Sequence, residues 1–294
     1  LWVADGYAGV VVLDPVTGDQ LMQIPELKNA RSFHRMQSGE IVVCRHSSGA
    51  TVVESKDGRV LDSHVDLDVQ TRVFSATSQP DEIYLGTLGG GYIKYSLKTG
   101  NQTNTGKTQT TRVLSREKQW ERQWTFTESH RVLWCHVAGE IHYLLDRDAG
   151  LRILKSEDGM LPEQIALLER EGQWRHGTML TESELLVAHK DGLLRIDVSS
   201  PTNPTITEVS QSPLDSRGVA ILQSVSAADA TKGKRVIVAE SEWGVRVLDI
   251  DSNGLTEMAR FPHHGLSTDV AVVDPGKGDG YVMSPETARG TNIY

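Results

Sequence analysis

Cysteine, phenylalanine and long apolar runs are scarce in this chain of 294 residues. The two cysteines, Cys44 and Cys135, fall at different positions of the repeat described below. They are read as buried or unpaired thiols and leave the redox compartment open. No apolar stretch approaches ~18 residues, so no transmembrane helix is expected. No basic segment followed by an apolar one opens the chain, so no signal-peptide pattern is visible. Basic residues are not in excess: Lys and Arg number 30 against 39 Asp and Glu, a formal charge of −9. That balance argues against a general nucleic-acid binder, because phosphate contacts need a basic face. Familiar catalytic signatures are missing too. There is no His-Glu-x-x-His and no Gly-x-Ser-x-Gly elbow. Asp274-Pro-Gly-Lys-Gly-Asp-Gly lacks P-loop spacing, and Gly89-Gly90-Gly91 is a turn rather than a dinucleotide fingerprint. Asn101-Gln-Thr103 is a glycosylation sequon in form only.

What is present is an ordinary globular composition, 38% hydrophobic and 23% charged, with enough length to bury a core. No Pro- or Gly-rich linker divides the chain, so residues 1–294 are expected to form a single domain. The informative feature is an internal repeat with a period of about 40 residues. Arginine recurs at one position of it, in Asn-Ala-Arg31-Ser-Phe, Gln-Thr-Arg72-Val-Phe, Ser-His-Arg131-Val-Leu, Gln-Trp-Arg175-His-Gly and Asp-Ser-Arg217-Gly-Val. A further copy, Ser-Thr-Asp269-Val-Ala, carries Asp there. After each comes a short apolar strand, such as Ile41-Val42-Val43 or Leu185-Leu186-Val187. A glycine turn follows, at Gly9, Gly49, Gly91, Gly150, Gly192, Gly244 and Gly290. A second turn closes the unit, as at Asp158-Gly159 and Asn253-Gly254. Gly and Asn accept the positive φ of hairpin turns.

Each unit therefore reads as four strands: a, beginning with the arginine, then b, c and d. Four-stranded units repeated radially make a β-propeller. Counting glycine turns predicts an all-β, seven-bladed propeller of four-stranded blades, incomplete at one or both termini. The chain opens at a strand b and stops at a strand c, so the natural product is expected to extend further, upstream in particular. The long gap over residues 104–128 holds Trp120, Trp124 and a strand-a imitation at Arg112, which keeps eight blades as the alternative.

Gly192-Leu-Leu-Arg-Ile-Asp-Val-Ser-Ser-Pro-Thr-Asn-Pro resembles the unit of the LVIVD-repeat β-propellers. Asp269-Val-Ala-Val, Gly150-Leu-Arg-Ile-Leu and Trp2-Val-Ala-Asp match the same unit. That resemblance implies the fold and an extracellular, periplasmic or cell-surface setting. It implies no activity. Asp5-Gly-Tyr-Ala-Gly with Asp14-Pro-Val-Thr-Gly is similar to strictosidine-synthase and paraoxonase-type propellers, but the metal-binding set of those lactonases is not matched.

In a propeller the d–a loops and b–c turns open on one face. The candidate ligand site is therefore a ring of Arg31, Arg72, Arg131, Arg175 and Arg217 at the channel mouth, joined by Asp269, His46 and His176. Arg suits carboxylate, sulfate or phosphate because its planar fork donates to two oxygens at once. The bland alternative is a ring of structural ion pairs, with Asp5, Asp146, Glu240 and Asp269 as the acids. His189, His264 and Glu240 are the candidate catalytic groups. Asp249, Asp251 and Asn253 resemble the start of a calcium loop, but Arg260 occupies the twelfth position and the segment coincides with a c–d turn. No cofactor is expected beyond that calcium candidate. Three functions remain open. The first is a binding module for an anionic small molecule, acidic glycan or protein partner. The second is a lyase or hydrolase of a carboxylate-bearing substrate, and the third a passive scaffold.

Overall fold

The computed structural model describes all residues except 1, 5–7, 15–16, 18, 57–58, 68, 70, 99–118, 158, 212–214, 223–233, 252–253, 263–270, 274–280, 287–289 and 294. The described regular structure is entirely β. The first sheet holds β1 (Trp2–Ala4), β2 (Val10–Leu13) and β3 (Gln20–Ile24). The second holds β4 (Ser32–Arg35), β5 (Ile41–Cys44), β6 (Ala50–Lys56) and β7 (Arg59–Leu67). The third runs through β8 (Arg72–Gln79), β9 (Glu82–Leu88), β10 (Tyr92–Lys98) and β11 (Gln119–Phe126). The fourth is β12 (Val132–Ala138), β13 (Ile141–Asp146), β14 (Gly150–Lys155) and β15 (Glu163–Leu168). The fifth is β16 (Trp174–Thr181), β17 (Glu184–His189), β18 (Gly192–Asp197) and β19 (Thr205–Gln211). The sixth is β20 (Gly218–Leu222), β21 (Lys234–Ala239), β22 (Val245–Asp251) and β23 (Gly254–Phe261). The seventh is β24 (Ala271–Val273), β25 (Tyr281–Glu286) and β26 (Gly290–Ile293).

All pairings are antiparallel and follow chain order. First strands of successive four-stranded sheets touch one another: β4 meets β8, β8 meets β12, β12 meets β16 and β16 meets β20, which in turn touches β24. His34 on β4 also feels the charge of His136 on β12, two sheets away, as inner strands wrapped round one axis require. The architecture is a β-propeller.

Counted by inner strands, the propeller has six blades and not the seven expected. Glycine turns mark b–c hairpins, and both three-stranded terminal sheets contain one. Among the described residues the first sheet has that hairpin without an inner strand, so counting turns overcounts by one. The eight-blade alternative fails as well. Trp120 and Trp124 lie on β11, the outer strand of the third sheet, while Arg112 lies outside the described residues.

Strand b explains why the core reads as unbroken apolar runs. In β5, Val42 and Cys44 enter the core shared with the third sheet, while Ile41 and Val43 enter the one shared with the first. In β17, Leu185 and Val187 face the fourth sheet, and Leu186 and Ala188 face the sixth. Side chains alternate across a strand, so a strand sandwiched between two neighbours must be apolar at every position. Each fully buried Leu, Ile or Val contributes about 1.5–3 kcal/mol of transfer free energy. Both cysteines are buried and free, as expected, and burial pushes each thiol up to about 12.

The glycine register also has a steric cause. Gly9, Gly49, Gly91, Gly150, Gly192 and Gly244 all have positive φ. The end of the outer strand crosses directly over the turn. A Cβ at Gly9, Gly91 or Gly150 would collide with the carbonyl oxygen of Ile24, Phe126 or Leu168, respectively.

Candidate functional site

The five repeat arginines occupy equivalent places. Arg31, Arg131 and Arg217 immediately precede β4, β12 and β20; Arg72 opens β8 and Arg175 is second in β16. Their surroundings nevertheless divide them into two groups.

Arg131, Arg175 and Arg217 are neutralised. Arg131 Nη1 lies 3.0 Å from Asp148, in the b–c turn of its own blade. Arg175 donates from Nε and Nη2 to the two oxygens of Asp215, at 2.9 and 2.5 Å. Asp215 also lies 3.3 Å from Arg217, so one carboxylate serves two arginines of adjacent blades. Arg170, in the preceding d–a loop, pairs with Asp191 at 3.2 Å. These acids differ from those expected. Asp146 is buried; it accepts from Ser129 Oγ at 2.6 Å and lies 3.6 Å from Arg152. Asp5 and Asp269 lie outside the described residues. Sequence reasoning missed Asp215 although it stands two positions before Arg217, because nothing in the repeat pattern distinguishes it from a loop residue.

Arg31 and Arg72 are different. Both are exposed, and neither has an acidic partner among the described residues. The Arg31 guanidinium lies over the Phe74 ring, 5.7 Å from its centroid. His46, in the b–c turn of the second sheet, meets Phe74 edge-on at 5.3 Å. The His46 carbonyl accepts the amide of Val73 at 3.0 Å, which ties this turn to the residue following Arg72. Burial, then Arg31, then Arg72 hold the His46 imidazole below its ordinary value. Among the described residues, no acid compensates the positive charge of this corner.

Of the catalytic candidates, His189 and Glu240 are described. His189 is fully buried, and its Nδ1 accepts the backbone amide of Asp191 at 3.1 Å. Its ring packs edge-on against Trp174, and burial, partly opposed by Asp191, lowers its pKa. Its Nε2 side is closed by Gly172, where even a Cβ would stand only 2.8 Å away. Glu240 is also fully buried, with Arg246 Nε at 2.7 Å and Arg260 Nη1 at 2.5 Å. Arg260 lies over the Trp243 ring at 5.5 Å. Glu240 is thus the centre of a buried ion cluster rather than a free base. His264 lies outside the described residues. His176, on β16, pairs with Ala188 across the strand, and its Nδ1 is buried.

Of the calcium candidates, Asp249 accepts from Arg235 Nε at 3.1 Å. Asn253 and the Asp251 side chain lie outside the described residues. Among the described residues no cluster of three His, Cys, Asp or Glu could hold a metal. Among those residues, no helix is long and apolar enough to cross a membrane. Two cavities open at the opposite end of the strands from the arginines. One of about 760 Å³ is lined by His136, Tyr143, Met179 and Val198; another of about 690 Å³ holds Glu184, Arg195, Asp197 and Glu208.

No family model matches the chain, and no curated protein matches it. Among solved structures, the chain is similar to the computationally designed Ika8 protein, with a TM-score of 0.60 and 12% identity over 99% of this chain and 91% of that one. It is similar also to BBS1N in complex with ARL6DN, with a TM-score of 0.66 and 13% identity over 99% and 85% of the two chains. Likenesses at this identity establish the fold alone. In general terms that fold suits a binding or scaffold module.

Proposed function

We propose that the chain is a β-propeller binding module whose arginine-bearing face recognises an anionic ligand, an acidic glycan or an acidic surface of a protein partner. The observation that carries this reading is the pair of exposed arginines, Arg31 and Arg72, that lack an acidic counterpart among the described residues on a rim where the other three are neutralised. Like charges held together repel, and a ligand anion relieves that repulsion. The BBS1N structure is of a complex with ARL6DN, which supports protein recognition by a fold of this kind. The LVIVD-repeat resemblance supports an extracellular, periplasmic or cell-surface setting. The Arg175–Asp215–Arg217 bridge favours a scaffold role for the opposite half of the rim, where charge is spent on holding blades together.

The test is a thermal-shift screen against sulfated glycans, uronates and phosphorylated metabolites. A ligand that binds the native state raises the melting temperature. The expected result is a shift that disappears in Arg31→Gln and Arg72→Gln. No shift with any class of anion at concentrations up to millimolar, together with no shift from an acidic protein, would sink the reading.

A further inference from the structure

We propose that the corner formed by Arg31, His46 and Arg72 is a site for a tetrahedral oxyanion, the phosphate or sulfate group of a ligand, and that His46 takes up a proton as the anion binds. This rests on the reading of the arginine face as a ligand-binding face, and narrows it to three residues and one chemistry.

Three elements supply the corner: the residue before β4, the turn between β5 and β6, and the first residue of β8. Phe74 links two of them. It lies under the Arg31 guanidinium and meets the His46 ring edge-on, so one aromatic side chain contacts both groups. His46 itself has φ 41°, in the left-handed region that non-glycine residues seldom adopt. Its carbonyl is held there by the amides of Val73, at 3.0 Å, and Gly49, at 3.3 Å. Ser241, at the equivalent position of the sixth sheet's turn, has φ 44°, so this conformation belongs to the turn and fixes where the His46 ring stands. Neighbouring Arg45 is not part of the corner, since it is engaged by Asp66 at 3.0 Å and by Thr51 at 2.9 Å.

Two guanidinium forks and an imidazole, carried by three separate segments, would supply more donors than the two oxygens of a planar carboxylate need and suit a tetrahedral anion. Among the described residues, the charged groups that act on His46 in the free protein are both cations, Arg31 and Arg72, and they oppose its protonation. A bound dianion reverses that field and favours the imidazolium. Binding is therefore linked to proton uptake, and affinity rises as pH falls toward the free-state pKa of His46. The limit for one linked proton is about tenfold in affinity per pH unit. Sulfate stays dianionic across this range, so with sulfate the pH dependence belongs to the protein. A phosphate monoester has a second pKa near ~6 and changes its own charge in the same window.

The experiment is isothermal titration of inorganic sulfate and of a sugar phosphate into the full chain from about pH 7.5 to about 5.5, spanning the ordinary histidine range, at constant chloride. Wild type, His46→Gln, Arg31→Gln and Arg72→Gln are compared. All three positions are at least partly exposed, and unchanged melting temperatures without ligand confirm folding. Sulfate is expected to bind with affinity rising toward the tenfold-per-unit limit, His46→Gln to bind without pH dependence, and each arginine variant to lose about tenfold or more. Binding that needs both arginines but is flat with pH in wild type overturns the proton linkage. Sulfate binding that survives both arginine substitutions, or failure of both oxyanions while a uronate or protein ligand binds, overturns the site but not the general reading. Failure of every anion and acidic partner overturns both.

Discussion

Arg175 and Asp215 stand on neighbouring blades and are joined by two parallel hydrogen bonds, Nε to Oδ1 at 2.9 Å and Nη2 to Oδ2 at 2.5 Å. The same carboxylate reaches Arg217 at 3.3 Å. A single acid thus cancels much of the repulsion between two arginines at the start of neighbouring inner strands and fastens the two blades together.

Replacing Asp215 with Asn is therefore expected to destabilise the fold by about 1–3 kcal/mol, because it leaves two half-buried guanidiniums facing each other without a counter-charge. Urea unfolding measures this. In a double-mutant cycle with Arg175→Gln, a coupling energy of about 0.5–3 kcal/mol is expected; additive effects would mean the pair is ornamental.

Glu240 is expected to matter for stability and not for chemistry. Glu240→Gln removes the fully buried carboxylate that touches both Arg246, which is itself 3% exposed, and Arg260, and leaves them only the exposed Glu257. Breaking a buried pair from one side costs about 3–5 kcal/mol. A variant that unfolds at the wild-type urea midpoint would contradict the buried cluster.

The glycine turns predict a graded series. Gly39 has φ 94°, and a methyl group placed there would meet nothing within 4 Å, so Gly39→Ala tests backbone strain alone, about 1–2 kcal/mol. Gly91 has φ 84° and in addition abuts the Phe126 carbonyl, so Gly91→Ala is expected to cost clearly more, about 3 kcal/mol or above. Equal losses at the two positions would remove the steric argument.

Acid is expected to weaken the fold through its buried imidazoles. Burial, then His136, lowers His34 to about 4; burial, then Lys94, lowers His142 to about 4. Both folded-state values lie below the ordinary 6.5. The unfolded chain therefore binds protons that the native state refuses, and stability falls as pH drops from about 6.5 toward about 4. Above that window these two groups contribute no slope. Each adds at most ~1.4 kcal/mol per pH unit within it. His34→Gln, which keeps a partner for Ser78 Oγ (2.8 Å from His34 Nε2), should unfold in urea with a shallower pH dependence than wild type. An identical dependence would show that His34 is not held neutral.

Much of the architecture was written in local patterns. The turn glycines obey a backbone constraint that any copy of the unit must meet. Apolar runs such as Leu185-Leu186-Val187 announce a strand buried on both faces. The arginines mark the start of the inner strands for the same reason, since position within a hairpin is a matter of local register. The count of blades was not legible in this way. A hairpin signature is identical whether or not an inner strand accompanies it, and only strand pairing shows which sheets have one.

By itself, then, the chain determined an all-β repeat with arginine at one end of its strands, because hydrogen-bonded turns and two-sided burial act over a few neighbouring residues. Tertiary structure alone decided what those arginines do. Whether a guanidinium finds Asp215 on the next blade, as Arg175 does, or lies over Phe74 with no acid at hand among the described residues, as Arg31 does, depends on how blades are set around the axis. Ion pairing is a matter of a few ångströms between segments distant in sequence, and no local pattern carries that distance.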